Sequence, residues 1–134
     1  MVLKYIILIC PLVSLMACQL LKILVAIIKH EKVTFNLIVS SGGFPSVHSS
    51  FVSALVTVVG LVDGIDSSTF DIALVFGLIT CYDAFHVRYE SGMHAKLLNK
   101  KYKLNMNENL GHKLHEVIAG IILGIIITLI IYFA

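Results

Sequence analysis

Apolar residues run along this chain in four long stretches, and the polar residues gather between them. A bilayer-spanning helix needs about 20 predominantly apolar residues. The first stretch, about Tyr5 to Ile28, meets this, with Lys22 intruding near its end. The second runs from Ser46 to Val62 and is closed by the turn-like Asp63-Gly64-Ile65-Asp66. The third runs from Phe70 to Phe85 and the fourth from Glu116 to Ala134. The middle two are short, so their ends are expected at or below the headgroups, or continued into polar turns. Val33 to Val39 is apolar but too short to span, and reads as a re-entrant or interfacial piece. The pattern predicts an all-α, integral membrane bundle of about four helices in a single domain over residues 1–134, with an interfacial basic loop or helix.

Composition agrees with this pattern: the 134 residues are 58% hydrophobic and 13% charged, with a mean hydropathy of +0.96. Lipid is the expected solvent, and a nucleic-acid-binding role is not expected. The N-terminal run is too long for a cleavable signal, contains Pro11 and ends in charge rather than small residues.

Charge adds topology. The turn between the second and third stretches has Asp63, Asp66 and Asp71 and no basic residue. The first connection holds Lys29 and Lys32, with Lys22 just inside its helix, and the third holds Arg88, Lys96, Lys100, Lys101, Lys103 and Lys113. Lys4 alone lies on the other side. Basic residues favour the cytoplasmic side, so both long connections are expected there, with both termini outside. All six histidines (His30, His48, His86, His94, His112 and His115) fall on that same side.

Three clusters there carry candidate chemistry. In Ser40-Ser-Gly-Gly-Phe-Pro-Ser-Val-His-Ser-Ser50, Pro45 suits the first turn of a helix. Gly42 and Gly43 permit close approach of a ligand to backbone amides, and a helix N-terminus attracts anions. His48 is then a candidate proton donor, or simply a histidine facing the headgroups after a capped turn. In Cys81-Tyr-Asp-Ala-Phe-His-Val-Arg-Tyr-Glu90, Arg88 is the sole arginine among ten basic residues. A planar, always-charged fork suits phosphate or carboxylate; Asp83 is a supporting residue, or the partner of Arg88 in a structural pair. In Leu110-Gly-His-Lys-Leu-His-Glu-Val117, His112 and Glu116 share a helix face. A carboxylate on one imidazole nitrogen leaves the other available as nucleophile or base. The same spacing, with His115, also fits a metal pair, although no third ligand stands at diagnostic spacing.

Other features read more simply. Cys10, Cys18 and Cys81 lie in apolar runs without disulfide or metal spacing, as small buried hydrophobes. Gly120 and Gly124 form a G-x-x-x-G pair for close helix contact, within the chain or through a homodimer. Met93 to Leu104 mixes apolar residues with lysines, as a basic helix on anionic lipid or a solvated loop.

In combination, Ser-Gly-Gly-x-Pro-Ser-x-His, Tyr-Asp-Ala-x-x-Val-Arg and Leu-Gly-His-x-x-x-Glu-Val-x-Ala-Gly resemble a known family. The chain is similar, over roughly residues 19–124, to the divergent, small bacterial and plastid-type branch of the type 2 phosphatidic acid phosphatase superfamily, a group related to acid phosphatases and vanadium-dependent haloperoxidases. That resemblance implies a metal-independent phosphatase with a histidine nucleophile and no cofactor. The family signature is a lysine with a basic residue seven later, Pro-Ser-x-His, Ser-Arg, then five residues, histidine, three residues and an acid. Lys22 and Lys29 have the first spacing, with lysine in place of the usual arginine. Pro45-Ser46-Val47-His48 matches the second element with Val47 in place of glycine, and His112 and Glu116 match the last with Glu in place of Asp. Arg88 follows Val87 rather than serine, and 23 residues separate it from His112.

The resemblance implies that His112 attacks phosphorus, Glu116 holds its ring and His48 protonates the leaving group. Lys22, Lys29, Arg88, Ser46 and the Gly42 and Gly43 amides would neutralise the phosphoryl oxygens. The implied substrate is a lipid or polyprenyl phosphate or diphosphate, met from surrounding membrane lipids in a bacterial inner (plasma) membrane. The competing expectation is a non-enzymatic membrane protein of the same fold: a proton-coupled or metal transporter, or a lipid-binding scaffold, in which Asp83, Glu116 and the histidines form a relay.

Overall fold

A computed structural model describes residues 2–30, 33 and 42–134 of the chain. Helix α1 spans Val2–Ile28, α2 Val47–Val62, α3 Ser68–Tyr82, α4 Arg88–Tyr102 and α5 Leu114–Phe133. A π-helical turn, Asp83–Val87, joins α3 to α4 without interruption. The described residues are helical apart from turns and loops, so the all-α membrane bundle stands. The interfacial piece expected over Val33 to Val39 lies, beyond Val33 itself, outside the described residues, as do Lys32, Ser40 and Ser41.

Small residues set the packing. Along α1 the buried positions Cys10, Ser14, Cys18, Lys22 and Ala26 recur every four residues and form one face. Leu8, Leu12, Met16 and Leu20 on the other faces are exposed, as a helix bordered by lipid requires. Pro11 sits within α1; a spanning helix tolerates it because neighbouring helices compensate the lost backbone bond. On α5 the buried residues are Val117, Gly120, Gly124 and Thr128. A side chain at Gly120 would overlap the carbonyl oxygen of Ser46, and one at Gly124 the hydroxyl of Ser53. The Gly120–Gly124 face is thus occupied by α2 of the same chain, the intramolecular alternative of the two expected from the sequence.

Helix α2 is the centre of the bundle, packed against α1, α3 and α5. Its serines replace apolar side chains at the tightest crossings and hydrogen-bond outwards. Ser14 Oγ meets Ser50 Oγ at 2.7 Å, and Ser53 Oγ donates to the carbonyls of Ser50 and Ile121, both at 3.1 Å. Thr128 Oγ1 donates to Ala54 O at 3.4 Å, and Tyr132 Oη to Leu61 O at 3.2 Å. In lipid such bonds add to close packing as the means of holding helices together. The amide of Ser46 donates to Glu116 O at 3.0 Å, so α2 and α5 run parallel, with their N-terminal ends together.

Two expectations need correction. Pro45 precedes the helix rather than opening it, because Ser46 is the better N-cap: its Oγ accepts from the amide of Ser49 at 3.4 Å. The helix of the third stretch does not end at Phe85; it continues through the π-turn to Tyr102. At about 1.5 Å per residue, this 35-residue helix measures roughly 52 Å against a hydrocarbon layer of about 30 Å. The segment from Met93 therefore belongs to a helix that leaves the bundle, not to a separate one. Helices α1, α3–α4 and α5 are each long and apolar enough to cross a membrane, whereas α2 with 16 residues is shorter.

Candidate active site

The site assembles where α1 ends, α2 begins, α3 becomes α4 and α5 begins. Twenty-three residues separate Arg88 from His112 in sequence, yet the intervening chain folds back on itself. Helix α4 runs out to Tyr102, Lys103 turns in the left-handed region (φ 56°), and residues 104–113 return along α4. Asn99 ties the two limbs: its Nδ2 donates to Met106 O at 2.9 Å and to Glu108 Oε1 at 2.8 Å, and its Oδ1 accepts from the amide of Met106 at 3.0 Å. Gly111 (φ 74°) lies so close to the start of α4 that a Cβ there would overlap the backbone nitrogen of Tyr89.

The π-turn completes the return. In an α-helix the amide of Arg88 would bond the carbonyl of Ala84; here it bonds that of Asp83. Ala84 O instead accepts the amide of His112 at 2.9 Å. Single π-turns of this kind recur at functional sites. Neither the π-turn nor the roles of Ala84 and Gly111 were legible in the sequence, although the glycine directly before His112 was a visible cue.

His112 is 2% exposed, and its Nδ1 lies 3.2 Å from Glu116 Oε2. The same carboxylate oxygen accepts the amide of Lys113 at 3.0 Å, capping α5. An ionised carboxylate only accepts, so Nδ1 carries the proton and Nε2 the lone pair. Among the described residues, Nε2 is the buried side-chain nitrogen left without a hydrogen-bond partner. Burial pushes the His112 pKa below the usual imidazole value; the hydrogen bond and charge of Glu116 oppose this, and the charges of His48 and Lys22 add to it. The lowered pKa favours the neutral ring, the state in which nitrogen acts as nucleophile or base.

Lys22 and His48 act electrostatically on this ring, and Arg88 and Asp83 act on His48. Lys22 is buried and interacts with the charge of Glu116, while the charges of Arg88, Asp83 and Lys22 act on His48. Arg88 Nε donates to Asp83, both side chains being partly exposed, so the expected structural pair is formed. The two members of that pair act on His48 in opposite senses.

The glycine loop packs over the same region. Gly43 (φ 100°) adopts a conformation that favours glycine, and a Cβ there would stand 3.0 Å from Cε of Lys22. Gly42 is closed against the return loop: its Cβ would stand 3.0 Å from Asn109 O. Phe44 stacks on His115 with ring centroids 6.4 Å apart. The hydroxyl of Ser46 is fully buried, committed to its cap and to Ser49 Oγ at 2.8 Å. Lys29 is exposed just beyond the end of α1, seven residues after Lys22. Of the cysteines, Cys10 and Cys18 are buried and Cys81 is half-buried. The described residues contain no group of three His, Cys, Asp or Glu side chains able to hold a metal ion.

The family model described as "Divergent PAP2 family" matches residues 3–127. An uncharacterised membrane protein of Bacillus subtilis (strain 168), YuiD, is 34% identical over 146 aligned positions, covering 90% of this chain and 92% of the relative. No solved structure matches the chain. A match spanning both ends of the bundle and all three polar clusters shows that this chain belongs to the Divergent PAP2 family.

Proposed function

We propose that this protein is a membrane-embedded phosphatase that hydrolyses a lipid or polyprenyl phosphate or diphosphate through a phosphohistidine. The observation that carries this reading is His112: buried, held at Nδ1 by Glu116, with Nε2 unpartnered and the charges of Lys22 and His48 acting on the ring. The lone pair of Nε2 attacks phosphorus while the bond from phosphorus to the leaving oxygen breaks. Protonated His48 gives its proton to that oxygen. A water molecule then attacks the phosphohistidine, giving a proton to His48 as the N–P bond breaks and phosphate leaves. Lys22 and Arg88 offset the charge on the phosphoryl oxygens, with Asp83 orienting Arg88. Phosphoryl transfer depends mainly on such positioning and charge stabilisation.

Nε2 is sealed from solvent in this arrangement, so a phosphoryl group reaches it only as covering groups move aside. Gly43, with its backbone against Lys22, is the glycine we read as accommodating the approach of phosphate. The distribution of lysines favours a site on the cytoplasmic face of a bacterial inner membrane. An impermeant thiol reagent on Lys101→Cys tests that orientation, and labelling from outside alone overturns it.

The decisive experiment is phosphate release by the purified, reconstituted protein from a panel of phosphorylated lipids without divalent metal. Wild type is expected to release phosphate, and His112→Gln and His48→Ala to fall to background. A rate unchanged in His112→Gln sinks the mechanism.

A further inference from the structure

Beyond Arg88 at its base, the hairpin formed by α4 and the return loop is not used by the proposed chemistry except to carry His112 back. One face of α4 is covered: Gly92 and Ala95 are buried, and Asn99 is bonded into the return loop. The remaining surface combines two features that water alone does not favour together. Met93, Leu97, Tyr102 and Leu104 are exposed, Leu97 to 62%, on a segment that extends past the apolar span. Among them stand Lys96, Lys100, Lys101 and Lys103, with Lys96 and Lys100 one turn apart. The acids within the hairpin are Glu90 and Glu108, and the Glu108 carboxylate already accepts from Asn99.

We infer that this hairpin is a docking surface for the anionic phospholipid headgroups of the leaflet bordering the site. Lysine stems lie along apolar surface while their ammonium groups reach the phosphates, and exposed leucine, methionine and tyrosine enter the headgroup–acyl boundary. A lysine-rich segment beside a membrane is attracted to anionic lipid within about a Debye length, roughly 8 Å at physiological salt. A straight continuation of α3 would carry Lys100 and Lys103 beyond that reach, since the helix exceeds the hydrocarbon layer by about 20 Å. The π-turn at Asp83–Val87 is the kind of discontinuity at which helices bend, and it allows α4 to lean onto the surface. A two-fold contact with a second copy would instead set lysines against lysines.

The test needs no enzymatic activity. The chain has no tryptophan, so Tyr102→Trp reports one position. The variant is placed in nanodiscs of phosphatidylcholine, with or without phosphatidylglycerol, each with lipid brominated near the headgroup end of its chains. Quenching is expected to rise about twofold or more when roughly a third of the lipid is anionic. It should fall again in salt of about 1 M, where the Debye length shrinks to about 3 Å. Replacing Lys96, Lys100, Lys101 and Lys103 by glutamine should remove the anionic dependence while helical circular dichroism is unchanged. No quenching in any mixture, quenching indifferent to headgroup charge, or emission that follows the number of copies per disc would each overturn the inference.

Discussion

The amide of His112 donates to the carbonyl of Ala84 at 2.9 Å, although a whole helix and its return loop separate them in the chain. The bond exists because the π-turn moves the amide of Arg88 onto Asp83 and so frees Ala84 O. An excursion out of the bundle is thereby closed at its base, and the candidate nucleophile is returned to the helix end that carries Arg88.

That closure depends on Gly111. Substitution by alanine places a Cβ on the backbone of Tyr89 and a side chain at φ 74°. Backbone strain alone costs about 1–2 kcal/mol, and the overlap adds to it. Gly111→Ala should therefore lower the unfolding temperature in detergent markedly. Gly64→Ala, at φ 88° with nothing within 4 Å, should lower it much less. Equal losses would show that the close approach to Tyr89 is unimportant.

Glu116 has two tasks on one oxygen, capping α5 and holding the ring of His112. Glu116→Gln keeps the shape but removes the charge that stabilises a cationic ring and fixes its tautomer. Phosphate release, once measured in wild type, should fall on the order of 10²-fold or more, with a much smaller change in unfolding temperature. A rate within twofold of wild type would remove Glu116 from the mechanism.

Close packing of α2 on α5 is testable apart from any activity. Gly124→Ala drives a methyl group into Ser53 Oγ and Ser50 O, and Gly120→Ala does so at Ser46 O. Overpacking of this kind costs about 1–3 kcal/mol. Ile122→Ala, on the exposed face of the same helix, should change stability by roughly 0.5 kcal/mol or less. Thermal unfolding of the three variants distinguishes these outcomes.

The depressed pKa of His112 sets a pH dependence. The unfolded imidazole protonates near pH ~6.5, whereas the buried ring protonates only at lower pH. As pH falls, the unfolded chain takes up this proton first, so stability declines below about pH 6.5 and levels off below the folded value. Above that range the group has no effect. Unfolding temperatures between neutral and mildly acidic pH should show this decline in wild type, reduced in His112→Gln. The rate is expected to keep its neutral nucleophile to more acid pH than a free imidazole would.

Much of the bundle was legible because apolar runs of spanning length have few alternatives in lipid. The helix ends were less legible. Ser46 took the cap that would have let Pro45 open α2, since its oxygen can accept Ser49 N–H. The third helix runs on past Phe85 because no proline interrupts it between Asp83 and Tyr102 and a π-turn carries it through. The spacing of Lys22 and Lys29 placed both on one side of α1, but only Lys22 is deep enough to meet Glu116.

The sequence by itself determined the membrane class, the gathering of histidines and nine of ten basic residues on one side, and the pairing of His112 with Glu116. These are local: length, composition and a four-residue spacing on a helix decide them. Tertiary structure alone decided that the backbone leading to His112 returns to Ala84 and the start of α4 across 23 residues after Arg88, that Gly120 and Gly124 face α2, and that Ser46 is a cap. Those outcomes depend on which surfaces approach closely enough to exclude a side chain or meet a backbone partner, and no periodicity along the chain encodes that.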